Sequence, residues 1–123
     1  MLLIFMAVLY SMSGCDQAQS DFDGSQISDE RQFILEFDLL NTTLSHEMVL
    51  EENDIVEVVI IRKGGELNIL VSDPEGQPIY RADDASSGKF ALEMTKSGSY
   101  MFRVTGDHAS GKVSFILRDG FGI

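Results

Sequence analysis

The sequence predicts an all-β domain over residues 31–118, a small antiparallel β-sandwich with jelly-roll-like or Greek-key character. Three observations predict it. After Gln32, apolar side chains recur at every second position in segment after segment. That is the period of a strand with one buried face, not the 3.6-residue period of a helix. Residues 55–61, Ile-Val-Glu-Val-Val-Ile-Ile, form a β-branched run suited to a central strand. Breaks rich in glycine, proline, serine and aspartate separate the segments at short intervals.

Phe33, Leu35 and Phe37 alternate with Ile34, Glu36 and Asp38 and open the domain. His46–Leu50 reads as a short strand. The β-branched run follows Asp54 and ends at Arg62-Lys63-Gly64-Gly65, where charge and two flexible positions intervene. Leu67, Ile69 and Val71 alternate next. Asp73-Pro74-Glu75-Gly76 is a strong turn, since proline presets φ and glycine accepts positive φ. Pro78–Arg81 reads as an edge strand, because proline cannot donate to a ladder. Ala82–Gly88 is small and polar, an exposed loop. Phe90, Leu92 and Met94, then Tyr100, Phe102 and Val104, then Val113, Phe115 and Leu117 supply the remaining strands, broken at Lys96-Ser97-Gly98 and after Thr105.

The N-terminal region has a different character. Residues 2–10 are almost wholly apolar, about half the ~20 residues a spanning helix needs. The length fits a signal-peptide core, although no Lys or Arg precedes it. Met12-Ser13-Gly14-Cys15 closes the run and holds the chain's single cysteine. Small residues at 13 and 14 let an extended backbone enter a peptidase cleft, and Cys15 offers a thiol for acylation. This stretch resembles the lipobox of bacterial lipoproteins. The resemblance implies cleavage between Gly14 and Cys15, acyl chains on Cys15, and a mature chain held at a membrane of the bacterial cell envelope, outside the cytoplasm. Residues 1–14 then read as the signal peptide, 15–30 as the lipidated cysteine with a flexible acidic tether, and 119–123 as a C-terminal tail. The tether reading follows from composition: Asp, Ser, Gln and Gly dominate residues 16–30 and offer little apolar surface to offset ordering.

The chain has 123 residues and a formal charge of −11. Nucleic acid, whose phosphates call for lysine and arginine, is an unsuited partner. One cysteine cannot pair within its own chain.

Residues 65–76, Gly-Glu-Leu-Asn-Ile-Leu-Val-Ser-Asp-Pro-Glu-Gly, resemble the middle of GOLD domains, the lumenal β-sandwich of a family of membrane cargo receptors. Phe90 and then Gly98-Ser99-Tyr100-Met101-Phe102-Arg103-Val104 resemble their late Gly-x-Tyr strand, and Val113-Ser114-Phe115 falls at their closing strand. Arg103 stands where the family has a cysteine, so its disulfide is absent. The prepeptidase C-terminal domain is similar in the same turn and strand. Either resemblance implies a non-catalytic module that binds or stabilises protein. From the residues alone, Gly98 permits a tight entry into the last hairpin, Tyr100 buries its ring while its hydroxyl seeks a carbonyl, and Asp73 accepts from amides of its own turn.

No constellation for chemistry stands out. His46 and His108 are the only histidines, and neither lies in a recognised catalytic or metal-binding spacing. A small hydrolase would need one of them joined to a carboxylate and a hydroxyl in a concave pocket. Asp73 with Glu75, and Asp83 with Asp84, are the carboxylates that turns could offer to calcium; Glu51, Glu52 and Asp54 form a third acidic group. A carbohydrate- or calcium-binding envelope module is therefore the alternative to a protein-binding adaptor. No other cofactor is expected. The residues most available to an envelope protein partner are Arg81, Asp83, Asp84 and Lys89 around one loop, and Asp107 and His108 in another.

Overall fold

The computed structural model describes residues 21–118, so the expected signal peptide, Cys15 and residues 119–123 lie outside the described residues. Seven strands account for most of that span: β1 (Phe22–Asp29), β2 (Gln32–Leu40), β3 (Thr43–Leu50), β4 (Ile55–Ser72), β5 (Pro78–Ala82), β6 (Gly88–Glu93) and β7 (Gly98–Leu117). Every pairing between them is antiparallel. The all-β prediction holds. No helix among the described residues is long and apolar enough to cross a membrane.

The architecture follows from β4 and β7, which pair with each other from Val56↔Leu117 to Ser72↔Met101. The first part of β4 also pairs β6, and its last part pairs β5. The last part of β7 pairs β2, and its first part pairs β3. One sheet is thus folded over on itself. The first layer runs β1-β2-β7-β4-β6 and the second runs β3-β7-β4-β5.

Two ladder irregularities in β4, between Arg62 and Gly64 and between Gly64 and Glu66, mark the fold line. Gly65 adopts φ +72° there, and a Cβ on it would sit 2.2 Å from the His108 carbonyl oxygen. Gly111 adopts φ +142°, and its Cβ would sit 1.9 Å from the Ile61 carbonyl oxygen. Both glycines let the two long strands turn while staying bonded.

Alternation places Phe33, Leu35, Val56, Val58, Ile60, Val113 and Phe115 of the first layer against Met48, Leu67, Ile69, Val71, Tyr100, Phe102 and Val104 of the second, all buried. Phe115 joins the layers: its ring centroid lies 4.9 Å from that of Phe102 and 6.0 Å from that of Phe33. Tyr80 and Phe90, 4.9 Å apart, close one flank. On the other flank the His46 ring packs against Phe33, tilted by 45° with centroids 5.3 Å apart, and its Nε2 lies 2.7 Å from the Asp29 carbonyl oxygen. Tyr100 is fully buried; its hydroxyl donates to the Lys96 carbonyl at 2.6 Å.

Three sequence expectations need correction. The composition of residues 16–30 predicts a tether through Phe22–Asp29, yet this segment is an edge strand paired with β2 along its length, with one bulge between Asp23 and Gly24. Beyond Phe22, which packs against the core, the positions opposite Phe37, Leu35 and Phe33 are Gly24, Gln26 and Ser28, so most of the strand is held by main-chain pairing that composition does not reveal. Ile55–Ile61 and Leu67–Val71 belong to one strand, since the Gly64-Gly65 break bends the chain without ending the ladder. The same holds for Tyr100–Val104 and Val113–Leu117 in β7.

Candidate functional site

The fold line gathers four chain segments at one end of the sandwich. These are the β2–β3 turn at Asn41-Thr42, the corner of β4, the β5–β6 loop at residues 83–87, and the corner of β7 near Asp107-His108. Short polar links tie them together. The Asn41 side chain accepts from the His108 amide at 3.0 Å, and the Gly106 amide donates to the Thr42 carbonyl at 3.0 Å. The Ala85 amide donates to the Leu67 carbonyl at 2.7 Å, which seats the buried Ala85 methyl and anchors the loop. The Asp84 amide donates to the Asn68 side chain at 2.8 Å, and Arg62 donates from its main chain to the Ser87 hydroxyl at 2.8 Å. Arg62 also pairs with the Asp84 carboxylate.

Asp84 and His108 hold positive φ, +60° and +52°. Asp and His tolerate this conformation better than bulkier or branched residues. Both side chains are exposed, as are Asp107 and Glu66 between them. The His108 Nδ1 lies 2.8 Å from the Asp107 carboxylate. The result is an acidic ridge on a rigid frame, with one imidazole on it.

Of the residues expected to meet a partner, the structure places Asp84, Asp107 and His108 on this ridge. Asp83 stands beside it. Arg81 lies just around the edge, on the outer face of the second layer, with its Nε 3.5 Å from Asp83. Lys89 lies apart on the outer face of the first layer, 3.7 Å from Glu57.

Arg81 lines an open cleft of about 270 Å³ with Asn68, Ile69, Leu70, Asp83, Arg103 and Thr105. Cross-strand register builds it: Leu70 pairs Arg81 on one side and Arg103 on the other. Arg103 and Thr105 escape loop-based reasoning because they sit in mid-strand. Alternation with buried Phe102 and Val104 was the available signal that Arg103 faces outward. Two further clefts, of about 340 and 300 Å³, lie at the β1 bulge beside Lys63 and Lys112 and at the opposite end beside Glu51 and Arg118.

Asp73, Glu75, Asp83 and Asp84 each have a cationic neighbour. Asp73 is buried; its Oδ1 accepts from the Glu75 and Gln77 amides, both at 2.9 Å, and its Oδ2 lies 3.4 Å from Lys96 Nζ. Glu75 lies 2.9 Å from the same ammonium. Asp83 faces Arg81 and Asp84 faces Arg62. Among the described residues no group of three or more His, Cys, Asp or Glu is placed to hold a metal ion. His46 is engaged with main chain and Phe33. Neither imidazole hydrogen-bonds a serine, threonine or cysteine among the described residues.

The Asp73 turn has a pH signature. The Gln77 amide bond first, then the Glu75 amide and Lys96, hold the Asp73 carboxyl below its ordinary value of 3.8. A carboxyl depressed in the folded state binds fewer protons there than in the unfolded chain, so its stabilisation is complete above 3.8 and is lost as pH falls through the depressed value. Asp73→Asn, which keeps an acceptor for the two amides, is expected to lower the thermal midpoint at pH 7 and to flatten its fall between pH 5 and 2. Thermal unfolding followed by circular dichroism across that range checks it; an unchanged acid limb would show that another carboxylate governs it. Hydrogen bonding to Glu75, then to Asp73, raises Lys96 above 10.5, so its contribution is complete below that value and fades as pH rises through the raised one.

No family model matches this chain, and no curated protein matches it. Among solved structures it is similar to PliG of Aeromonas hydrophila, a periplasmic inhibitor of g-type lysozyme, at 16% identity over 79% of this chain and 88% of that one, with a TM-score of 0.48. It is also similar to a cupin domain from Bordetella pertussis Tohama I, at 12% identity over 80% of this chain and 97% of that one, with a TM-score of 0.38. Neither is a GOLD domain or a prepeptidase C-terminal domain.

Proposed function

We propose that this chain is a non-catalytic, extracytoplasmic module that binds a protein partner through the end where its sheet folds over, and that acyl chains on Cys15 hold it at a membrane of the bacterial envelope. One observation carries the docking reading. Four chain segments meet at the fold line and are cross-tied, so Asp84, Asp107 and His108 are presented on a frame that loses little entropy when a partner docks. Residues held at positive φ are tolerated where surrounding structure enforces them, and such places cluster at binding sites. The GOLD-like sequence features agree with a protein-binding module. The apolar run at residues 2–10 and the Ser13-Gly14-Cys15 junction support the anchored, exported reading.

The test compares ends of the molecule. Tagged full-length chain is used to capture partners from detergent-solubilised envelope. Asp107→Lys and His108→Gly alter the ridge, and glycine preserves the positive φ at 108. Glu52→Lys makes the same charge change as Asp107→Lys at the opposite end. A protein captured by the wild type and by Glu52→Lys, and lost with the ridge variants, is the expected result. Equal capture by all four proteins would overturn the proposal. Mass analysis of the mature N-terminus, compared with Cys15→Ser, tests the anchor separately: an intact, unacylated chain would refute it.

A further inference from the structure

We propose that the cleft beside the ridge is a carboxylate-recognition site, in which Arg81 and Arg103 grip an aspartate or glutamate side chain of an extended acidic segment in the partner protein; this rests on the docking reading above.

The site is built by register. Arg103, Leu70 and Arg81 lie directly opposite one another on three adjacent strands. Strands about 4.8 Å apart put the two arginine Cα atoms about 10 Å apart. That spacing brings both guanidinium groups within reach of one carboxylate, with half-buried Leu70 as the apolar floor. Two planar forks match the two oxygens of a carboxylate.

The surroundings add donors. The Asn68 side-chain oxygen accepts from the Asp84 amide, which leaves its NH₂ group as a donor. Thr105 lies 2.8 Å from Thr43 through their hydroxyls. Arg103 forms no ion pair among the described residues. Among the described residues Arg81 is held only by Asp83, and both side chains are about two-thirds exposed or more (68% and 71%). Such a pair contributes little and exchanges readily for a better carboxylate. Charge complementarity selects the occupant. On a chain of net charge −11, this cleft holds two guanidinium groups against one carboxylate. An acidic segment is repelled across most of the surface and admitted here, which fixes where it docks.

Nuclear magnetic resonance on the full-length, isotope-labelled chain in detergent tests this. The probe is the capped peptide Gly-Gly-Glu-Leu-Gly-Gly, compared with its glutamine twin, inorganic phosphate and a trigalacturonate oligosaccharide. The expected result is saturable movement of the Arg81 and Arg103 Nε–H signals with the glutamate peptide and none with the twin. Arg81→Gln and Arg103→Gln should each weaken binding by roughly tenfold or more, with Arg103→Lys also weakened because an ammonium lacks the fork. Asp83→Asn should tighten binding by removing the internal competitor. These side chains are exposed, so the thermal midpoint should hold and report that the variants fold. Unmoved arginine signals, equal response to the glutamine twin, or weaker binding by Asp83→Asn would overturn the proposal. Tighter binding of phosphate or of the oligosaccharide would overturn the assignment to a protein carboxylate. In the envelope capture, a partner lost with the ridge variants but retained by Arg103→Gln would overturn this site and leave the docking reading standing; equal capture by every variant removes the docking reading itself.

Discussion

Phe115→Ala is expected to lower the unfolding free energy by about 3–5 kcal/mol, the usual range for deleting a fully buried phenylalanine. Phe115 has no exposed surface and touches aromatic rings from both layers. Its loss removes apolar contact area and leaves a void that Phe33 and Phe102 fill only in part, since both are themselves enclosed. The adjacent residue supplies the contrast. Ile116 points outward and is 39% exposed, so Ile116→Ala should cost less than about 1 kcal/mol. Chemical denaturation of the two variants checks the pair. Similar losses at positions 115 and 116 would show that β7 does not alternate between core and solvent.

Gly111→Ala should be as damaging for a different reason. No large side chain is removed; a methyl group is added. It would meet the Ile61 carbonyl oxygen at 1.9 Å, and the backbone is at φ +142°. The neighbour is main chain and cannot swing aside, so the β4–β7 ladder must open at Arg62↔Gly111. A loss of about 3 kcal/mol or more is expected from strain and broken pairing together. Gly88→Ala is the control, because nothing lies within 4 Å of a Cβ there. Its effect should stay within about 0.5 kcal/mol. Thermal and urea unfolding of both variants measures the difference. Near-equal stability would mean that the corner is not pinned by glycine.

These two positions also explain what could be read in advance. The period-two runs announced strands and their buried faces: Phe33, Leu35, Leu67, Ile69, Tyr100, Phe102, Val113 and Phe115 are all buried. The same runs hid connectivity. Gly64-Gly65 and the stretch after Thr105 look like strand ends in a linear reading. A glycine corner instead lets the ladder continue through the bend, so four apparent strands are two long ones. β1 is hard to read because, after Phe22, its positions opposite the buried β2 side chains are glycine, glutamine and serine, and main-chain pairing with β2 holds them.

The candidate site was legible in pieces. Asp84, Asp107 and His108 stood out as exposed loop residues, but their meeting depends on where the sheet folds. Asn41 gave no local sign that it would accept from His108, since 67 residues separate them. Arg81 flanks its loop in the sequence. Its relation to Arg103 needs the register of three strands, and β5 and β7 have no contact in sequence. Local pattern reports which face a side chain takes; long-range pairing decides its neighbours.

Site-specific photocrosslinking in the native host tests the central claim most directly. A benzophenone amino acid is placed singly at Asp107, at Asp84, and at the distant exposed residues Glu52 and Glu93 of the full-length protein. The expected outcome is one discrete crosslinked protein from positions 107 and 84 and none from 52 and 93. Crosslinks of equal strength from both ends, or from positions 52 and 93 alone, would contradict docking through the folded end.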